Sequence, residues 1–457
     1  MPMPKKLMMT ITSCVKFIKG FCAPRARADG CRLKAVVFPN GLNYFIWNVF
    51  LVLVFLRAFL SEHAFMTLGF WYVSFFVIVG FHLVFISKAS LFSHSLNFAV
   101  FIFAASIVVS LLFSEIAGAN FYVSVLEPYF FLPNLLIFYI AGKINQKQRE
   151  QLINAVFLAA GIIGVYALYQ YFFVLERLLS YARSTGVSEN IIAVVQQKRV
   201  YAAFISPNLF ASYVIVMLFL MTGFLINGYP FTRKTVYVLI SAFLMAIALL
   251  LTKSFGGLMA FSLTFSLFFL YFFCSIKGKK AVLKRLFLGL VVIFFIFVVL
   301  FIVLNWQRLA AIFISSKFHA NSITQRFYYW ITSLKIIKDF PLTGIGWRNF
   351  GIVYEFYRLP LANVSHYSHN VFLQVMAETG LLGLMSFLYM VTIAFRSGIR
   401  ILNNGGGNQG LKIGLFCAGC SFLIHNLVDI SFYFSQAAFF WWMILGLIVN
   451  FSAEKQE

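Results

Sequence analysis

The chain has 457 residues, 62% of them hydrophobic and 11% charged, with a formal net charge of +23. A soluble domain is roughly half apolar and a quarter charged, so this composition excludes one. The basic excess invites nucleic acid as a partner, but it lies on the connections and ends that flank apolar runs, with no aromatic-basic surface module, and that reading is discarded.

Apolar runs of about 20 residues, each long enough to cross a ~30 Å hydrocarbon core, recur along the whole chain. In order they lie near 43–60, 66–86, 96–113, 121–141, 152–174, 209–226, 236–252, 256–275, 286–304, 371–395, 411–428 and 432–451. Each must be a helix, because a lone strand leaves backbone groups unpaired in lipid. The expected fold is therefore an all-α integral membrane protein with about 12 transmembrane helices. Its parts are a basic N-terminal segment, 1–42; helices 1–9, 43–304; a large loop between helices 9 and 10, 305–370; helices 10–12, 371–451; and a tail, 452–457. With an even number of spans the termini share a side. The connections and ends on that side hold 23 of the 36 basic residues but only Asp29, Glu150, Glu454 and Glu457 as acids. By the positive-inside rule both termini are cytoplasmic and the large loop is on the outer face.

The head, 1–42, lacks the uninterrupted apolar core of a signal peptide, so the first span is expected to act as an uncleaved insertion signal. Glu127 beside Pro128 in the fourth span reads as a functional carboxylate or as a packing hydrogen bond at a proline kink. The first sizeable outer loop, 175–206, ends in Lys198-Arg199 and then Ser206-Pro207-Asn208. Ser206 as N-cap and Pro207 at the first helical position make a helix start. Arg199 thus lies just above a helix mouth, as a phosphate-binding group or an interfacial anchor. Lys253 adds a cation in the next outer turn, and the Lys277–Arg285 cluster is a topology and lipid-headgroup determinant. Within 305–370, Phe327, Trp330, Ile331, Leu334 and Ile337 recur at helical spacing with Arg326, Lys335 and Lys338 between them. An amphipathic helix over 325–340, lying on the membrane face, is predicted. Gly344-Ile345-Gly346 makes a turn ahead of Trp347-Arg348, and the loop's only acids are Asp339 and Glu355 against seven basic residues. Such a face attracts anions and does not cage a hard metal. The segment Gly405-Gly406-Gly407 is a flexible linker, and Cys417-Ala418-Gly419-Cys420 reads as small-residue packing inside a span.

The loop closes on His366-Tyr367-Ser368-His369-Asn370. The two histidines have metal-like spacing, but further ligands are missing nearby, so zinc is the weaker reading. Asn370 is a candidate N-cap, which puts His369 at a helix N-terminus, where the dipole disfavours imidazolium. A neutral imidazole accepts a proton, as a general base must; the alternative is an interfacial hydrogen bond.

Arg326, Trp330, Pro341-Leu342 and Gly344-Ile345-Gly346, then His369-Asn370, nine residues, and Gly380-Leu381-Leu382-Gly383, resemble the O-antigen ligase and polymerase superfamily. Arg199 followed by Ser206-Pro207-Asn208 and Ala211 resembles the family's other arginine motif. The resemblance implies a GT-C-like glycosyltransferase of the bacterial inner membrane, working on its periplasmic face. It implies a donor glycan on undecaprenyl pyrophosphate, lipid A-core or another glycan as acceptor, membrane lipids as surroundings, and metal-independent inversion without a cofactor. It assigns His369 as base and Arg199 and Arg326 as pyrophosphate holders; Asn370, His366, Arg348 and Lys253 are further candidates for supporting places. One position departs: relatives often carry an arginine where this chain has Phe255, leaving Lys253 to supply that charge. Ligase is favoured over polymerase, which shares the chemistry and differs in its acceptor. A flippase or transporter is disfavoured, because its polar groups belong in mid-membrane. The loop holds no close carboxylate pair of the glycosidase type.

Overall fold

A computed structural model of the protein describes residues 41–60, 70–86, 94–112, 121–186, 195–227, 232–275, 322–403 and 407–453, with isolated positions at 192, 292, 299, 302, 303 and 306. Over 121–130 and 269–275 it describes the backbone alone. All of these residues belong to one unit, Ala35–Gln456. Residues 1–40 of the basic head, the apolar run 286–304 apart from those isolated positions, the Lys277–Arg285 cluster and the Glu127 side chain lie outside what is described.

The described secondary structure is helical throughout: α1 (Gly41–Arg57), α2 (Phe70–Ile86), α3 (Ser95–Leu111), α4 (Phe121–Ala141), α5 (Gln146–Tyr169), α6 (Leu175–Ser184), α7 (Pro207–Ile226), α8 (Arg233–Thr252), α9 (Phe255–Ser275), α10 (Ser322–Asp339), α11 (Phe350–Tyr357), α12 (Val371–Asn403), α13 (Gln409–His425) and α14 (Ser435–Ala453). A π-helical segment, Gln170–Val174, joins α5 to α6, and a 3₁₀ turn, Ser431–Tyr433, precedes α14. Eleven of the twelve apolar runs hold one of these helices. Gln146–Ser184, Pro207–Ile226, Arg233–Thr252, Val371–Asn403 and Ser435–Ala453 are long and apolar enough to cross a membrane; the apolar stretches Gly41–Arg57, Phe70–Val84, Ser95–Leu111, Phe131–Ala141 and Phe255–Phe268 are shorter.

Local chemistry starts these helices. Asn145 and Gln148 form a reciprocal capping box at α5, and Ser206 caps α7 ahead of Pro207, as its sequence predicts. The centre of the bundle is α7 with α14, whose side chains are buried nearly all round. A helix apolar on every side belongs in such a place. Helix α13 packs along α7 so closely that the Gly223 backbone touches the backbones of Gly410 and Gly414; a Cβ on Gly223 would lie 2.6 Å from Gly414 Cα. Small residues permit this approach, which gives helices in lipid their contact energy. Arg149 is buried, donating 2.8 Å to Asn450 Oδ1 and lying over the Phe451 ring.

Three boundaries differ from expectation. The outer loop placed at 175–206 opens with helix α6, because Leu175, Leu179 and Ala182 recur at helical spacing and are buried. The span placed at 371–395 runs on to Asn403 as α12 and is broken at Gly380, which has φ 64° and ψ −165°. Helix α10 confirms the helical spacing of the loop but turns differently: Tyr329, Thr332, Ser333, Ile336 and Ile337 are buried, while Phe327, Ile331 and Leu334 are exposed.

Candidate functional site

The break in α12 organises the site. At Gly380 the helix carbonyls lose their partners, and the segment Pro341–Gly346 supplies new ones. Ile345 N donates to Ala377 O at 3.0 Å, Gly346 N to Glu378 O at 2.9 Å, and Leu381 N to Pro341 O at 2.8 Å. Backbone contact this close leaves no room for a Cβ on Gly344 or Gly380, and both have positive φ. The motif glycines are thus the two faces of one joint. Beneath it Glu378 is fully buried, its Oε1 accepting from Gln374 Nε2 at 2.9 Å and Phe350 N at 3.3 Å.

At the head of α12, Asn370 Oδ1 accepts from Phe372 N at 3.0 Å and Leu373 N at 3.1 Å, so Asn370 is the cap its sequence predicts. Its Nδ2 donates to Leu427 O, tying the cap to the connection between α13 and α14. His369 directly before it has φ 55°, a left-handed conformation that a non-glycine residue holds only when its surroundings impose it. Its ring stacks on Tyr329 of α10, with centroids 5.6 Å apart and planes at 28°. His369 Nδ1 is buried and has no hydrogen-bond partner among the described residues. Burial pushes the imidazole pKa down to about 4; Arg326 pushes the same way, and Asp429 opposes them. His366, three residues earlier, is exposed and rests on Gly351. The two histidines stand in different surroundings. No metal-holding cluster of His, Cys, Asp or Glu occurs among the described residues.

Arg326 and Trp330 sit one turn apart on α10. Arg326 Nε and Trp330 Nε1 are both buried donors without a partner among the described residues. Buried donors are normally satisfied, so a pair of open ones beside a stacked histidine fits an acceptor-rich ligand. Arg326 also approaches Asp429, at 4.0 Å from Nη2 to Oδ2. Asp429 is buried in the α13–α14 connection and accepts from Ser431 Oγ at 2.9 Å. Burial pushes its carboxyl up, but His425, His369 and Arg326 outweigh that and hold it below the usual carboxylate value. Ser431 receives a 2.7 Å bond from Ser212 Oγ of α7, and Ser212 in turn pairs with His425 Nδ1.

Arg199 joins the same end of the bundle from another side. Its Nε donates to Thr252 O at 2.9 Å and its Nη2 to Asn208 Oδ1 at 2.8 Å, one helical turn before Ser212. The loop holding it is strained, with Lys198 at φ 47° and Ala202 at φ 49°. Gln170, buried in the first position of the π-helical segment, holds it in place. Its Oε1 accepts from Tyr201 N at 3.0 Å and Ala202 N at 2.8 Å, and its Nε2 donates to Ala202 O at 3.3 Å. A π-helical turn inside an α-helix often marks such a site. Lys253 sends its Nζ to Gln197 O at 2.8 Å, bracing the same loop. Phe255 begins α9 next to Gly256, which faces His425. Arg348 is a clamp: Nη1 donates to Tyr367 Oη at 2.9 Å, Nη2 donates to Tyr433 O, and the guanidinium lies among the Tyr367, Tyr433 and Phe434 rings.

Residues 240–388 match the O-antigen ligase family. That stretch is thus a domain of the O-antigen ligase family. No curated protein matches the chain. The matched stretch runs from α8 into α12 and takes in Lys253, Arg326, His369 and the Gly344–Gly380 joint. Arg199 precedes it, and His425 and Asp429 follow it. Sequence reading missed Asp429, His425, Ser212 and Gln170. For Asp429 a signal existed: it is an acid in the short connection between two predicted spans. For Ser212 and Gln170, ordinary polar residues in apolar runs, the sequence holds none.

Proposed function

We propose that the protein is a membrane glycosyltransferase that moves a glycan from undecaprenyl pyrophosphate to a hydroxyl of an acceptor, lipid A-core in the reading favoured here, at the outer face of the bacterial inner membrane. The observation that carries this is the grouping at α10. A neutral, stacked His369 with an open ring nitrogen faces Arg326, whose Nε is open, and both adjoin the buried Asp429. That set suits one reaction. The acceptor oxygen attacks the anomeric carbon while His369 takes its proton. The bond from that carbon to the pyrophosphate oxygen breaks, and the leaving electron pair ends on pyrophosphate, held by Arg326 and Arg199.

Each part has a physical reason. Guanidinium groups grip phosphate oxygens with two donors and stay charged at any working pH. Removing the hydroxyl proton as it attacks is worth about 10²–10⁴-fold. Asp429 stabilises the imidazolium that forms, and the incoming pyrophosphate raises the low pKa of His369, so substrate binding makes the base stronger. The leaving group is already activated, so no nucleotide site and no metal enters the step. Attack opposite the pyrophosphate inverts the anomeric centre.

Glycan analysis of a null mutant and its complemented strain tests the reading. A ligase leaves full-length chains accumulated on the lipid carrier. Single repeat units on the final acceptor would make it a polymerase, and unchanged glycans would overturn transfer altogether.

A further inference from the structure

His369 keeps its left-handed φ of 55° between two neighbours that are both tied down. On one side Asn370 caps α12. On the other, Ser368 N donates to Gln374 Oε1 at 2.6 Å, in the first turn of α12. The Ser368 side chain spans the histidine, its Oγ donating to Asn370 O at 2.8 Å and accepting from Asn370 N at 3.2 Å. Ser368 and Gln374 are fully buried, so water does not replace these bonds. The Gln374 amide has one possible orientation. A backbone N–H can only donate, which places the amide oxygen against Ser368 and leaves its nitrogen to find an acceptor. Glu378 Oε1, one turn further along α12, is that acceptor at 2.9 Å and also takes Phe350 N at 3.3 Å. Both ends of the amide are thus used, as burial requires. A buried chain of hydrogen bonds runs from beneath the Gly344–Gly380 joint, through Glu378 and Gln374, to the peptide just ahead of His369.

We infer that Gln374 is a positioning residue for His369: oriented by Glu378, it fixes the peptide before the histidine and so holds the ring on Tyr329. The inference rests on the reading of His369 as the base. A left-handed backbone relaxes in a residue with a side chain unless its neighbours forbid it. Without the bond from Ser368 to Gln374, rotation about the His369 backbone swings its Cβ and lifts the imidazole off Tyr329. The contact between base and attacking hydroxyl is then lost, and a displacement of about 1 Å can lower a rate by about 10²-fold. Arg326, Arg199 and Asp429 stand on other elements and keep their places. The effect therefore falls on proton removal and not on the grip of the pyrophosphate.

Three measurements test it on the full-length protein in nanodiscs. The first follows the His369 ring by histidine-selective NMR between about pH 5 and 7, in the wild type and in Gln374→Leu, which fills similar space without either hydrogen bond. Arg326 and Asp429, the charges acting on the ring, are left in place. The wild-type ring, with its pKa near 4, is expected to stay neutral across this window, and the variant's, released towards water, to titrate with a midpoint moved up towards 6.5. A His369 that stays neutral in a variant with a normal melting curve overturns the inference. This readout needs no turnover, so it stands apart from the fate of the base reading, which His369→Ala decides. The second is kinetic. In Gln374→Leu, kcat is expected to fall about 10²-fold and the acid limb of kcat/KM to move up in pH, with donor KM held within about twofold. A risen donor KM with unchanged kcat contradicts it. Gln374→Met, with a more flexible side chain, repeats both measurements should the leucine variant not fold. The third needs no variant: Ser368 N–H is expected to exchange slowly with solvent deuterium, and exchange as fast as at exposed Val364 overturns the inference.

Discussion

His369 and His366 share a loop but not an environment, and variants of each separate base from metal chemistry. His369 is locked by its left-handed backbone, by Tyr329 and by the Asn370 cap, while His366 is exposed on Gly351. His369→Ala is expected to abolish transfer in a membrane-inserted, normally abundant protein. His366→Ala should retain substantial activity, and chelators should leave the wild type unaffected. Equal loss in both variants, with chelator sensitivity reversed by zinc, would instead establish a metal site. The pH dependence carries the same assignment. With its pKa lowered from 6.5 to about 4, His369 stays neutral as pH falls through 6.5. The acid limb of kcat/KM, which reports the free enzyme, should therefore lie well below that of ordinary imidazole. Stability changes in that window too: between pH 6.5 and about 4 the unfolded chain binds the proton and the folded one does not, so His369 makes the fold less stable as pH drops. Folding must be followed alongside rate. Asp429→Asn removes the charge that raises the His369 pKa, so it should lower kcat and shift the acid limb further down.

At the scale of elements, the joint between Pro341–Gly346 and the break in α12 is what holds α10 and the head of α12 in register. A Cβ on Gly380 would lie 2.2 Å from Leu342 O, a backbone atom, and φ there is 64°. Strain and overpacking of this kind cost about 1–3 kcal/mol each. Gly380→Ala should lower the melting temperature in detergent by several degrees and reduce transfer, whereas Gly407→Ala, with open space around it, should do neither. A melting curve unchanged by Gly380→Ala would mean the break is not a fixed joint. This joint was legible in sequence as a spacing of glycines, but its cause was not, because two segments far apart in the chain create it. The same divide runs through the site. His369-Asn370 and Arg326 could be read locally, since caps and helical spacing are short-range. Asp429 and Gln170 acquire meaning only when α13–α14 and the π-helical segment arrive beside them. Helix α6 was missed for a simpler reason: its Leu175, Leu179 and Ala182 repeat sits among charges that suggested a loop.

For the whole molecule, the proposed reaction requires the site to open on the outer face, where a lipid-linked glycan is presented. The structure separates two ends of the bundle. Helix α5 starts at Gln146 and, after 24 residues, reaches the Gln170 segment beside the Arg199 loop. At 1.5 Å per residue that is about 36 Å, a full hydrocarbon thickness. Helix α8 confirms the polarity, since its C-terminal Thr252 carbonyl accepts from Arg199 while Arg233 begins the helix at the other end. Gln146, Lys147 and Arg233 therefore mark one end, and Arg199 and Thr252 the other. The positive-inside count made on the sequence leads to the expectation that the first end is cytoplasmic. In a cysteine-free background, Leu361→Cys, exposed in the loop ahead of His369, should react with an impermeant thiol reagent in intact spheroplasts. Gln146→Cys, exposed at the opposite end, should react only after lysis. The reverse pattern would place His369 and both arginines in the cytoplasm. A donor carried in the outer leaflet could not then reach them, and transfer at the outer face would have to be abandoned.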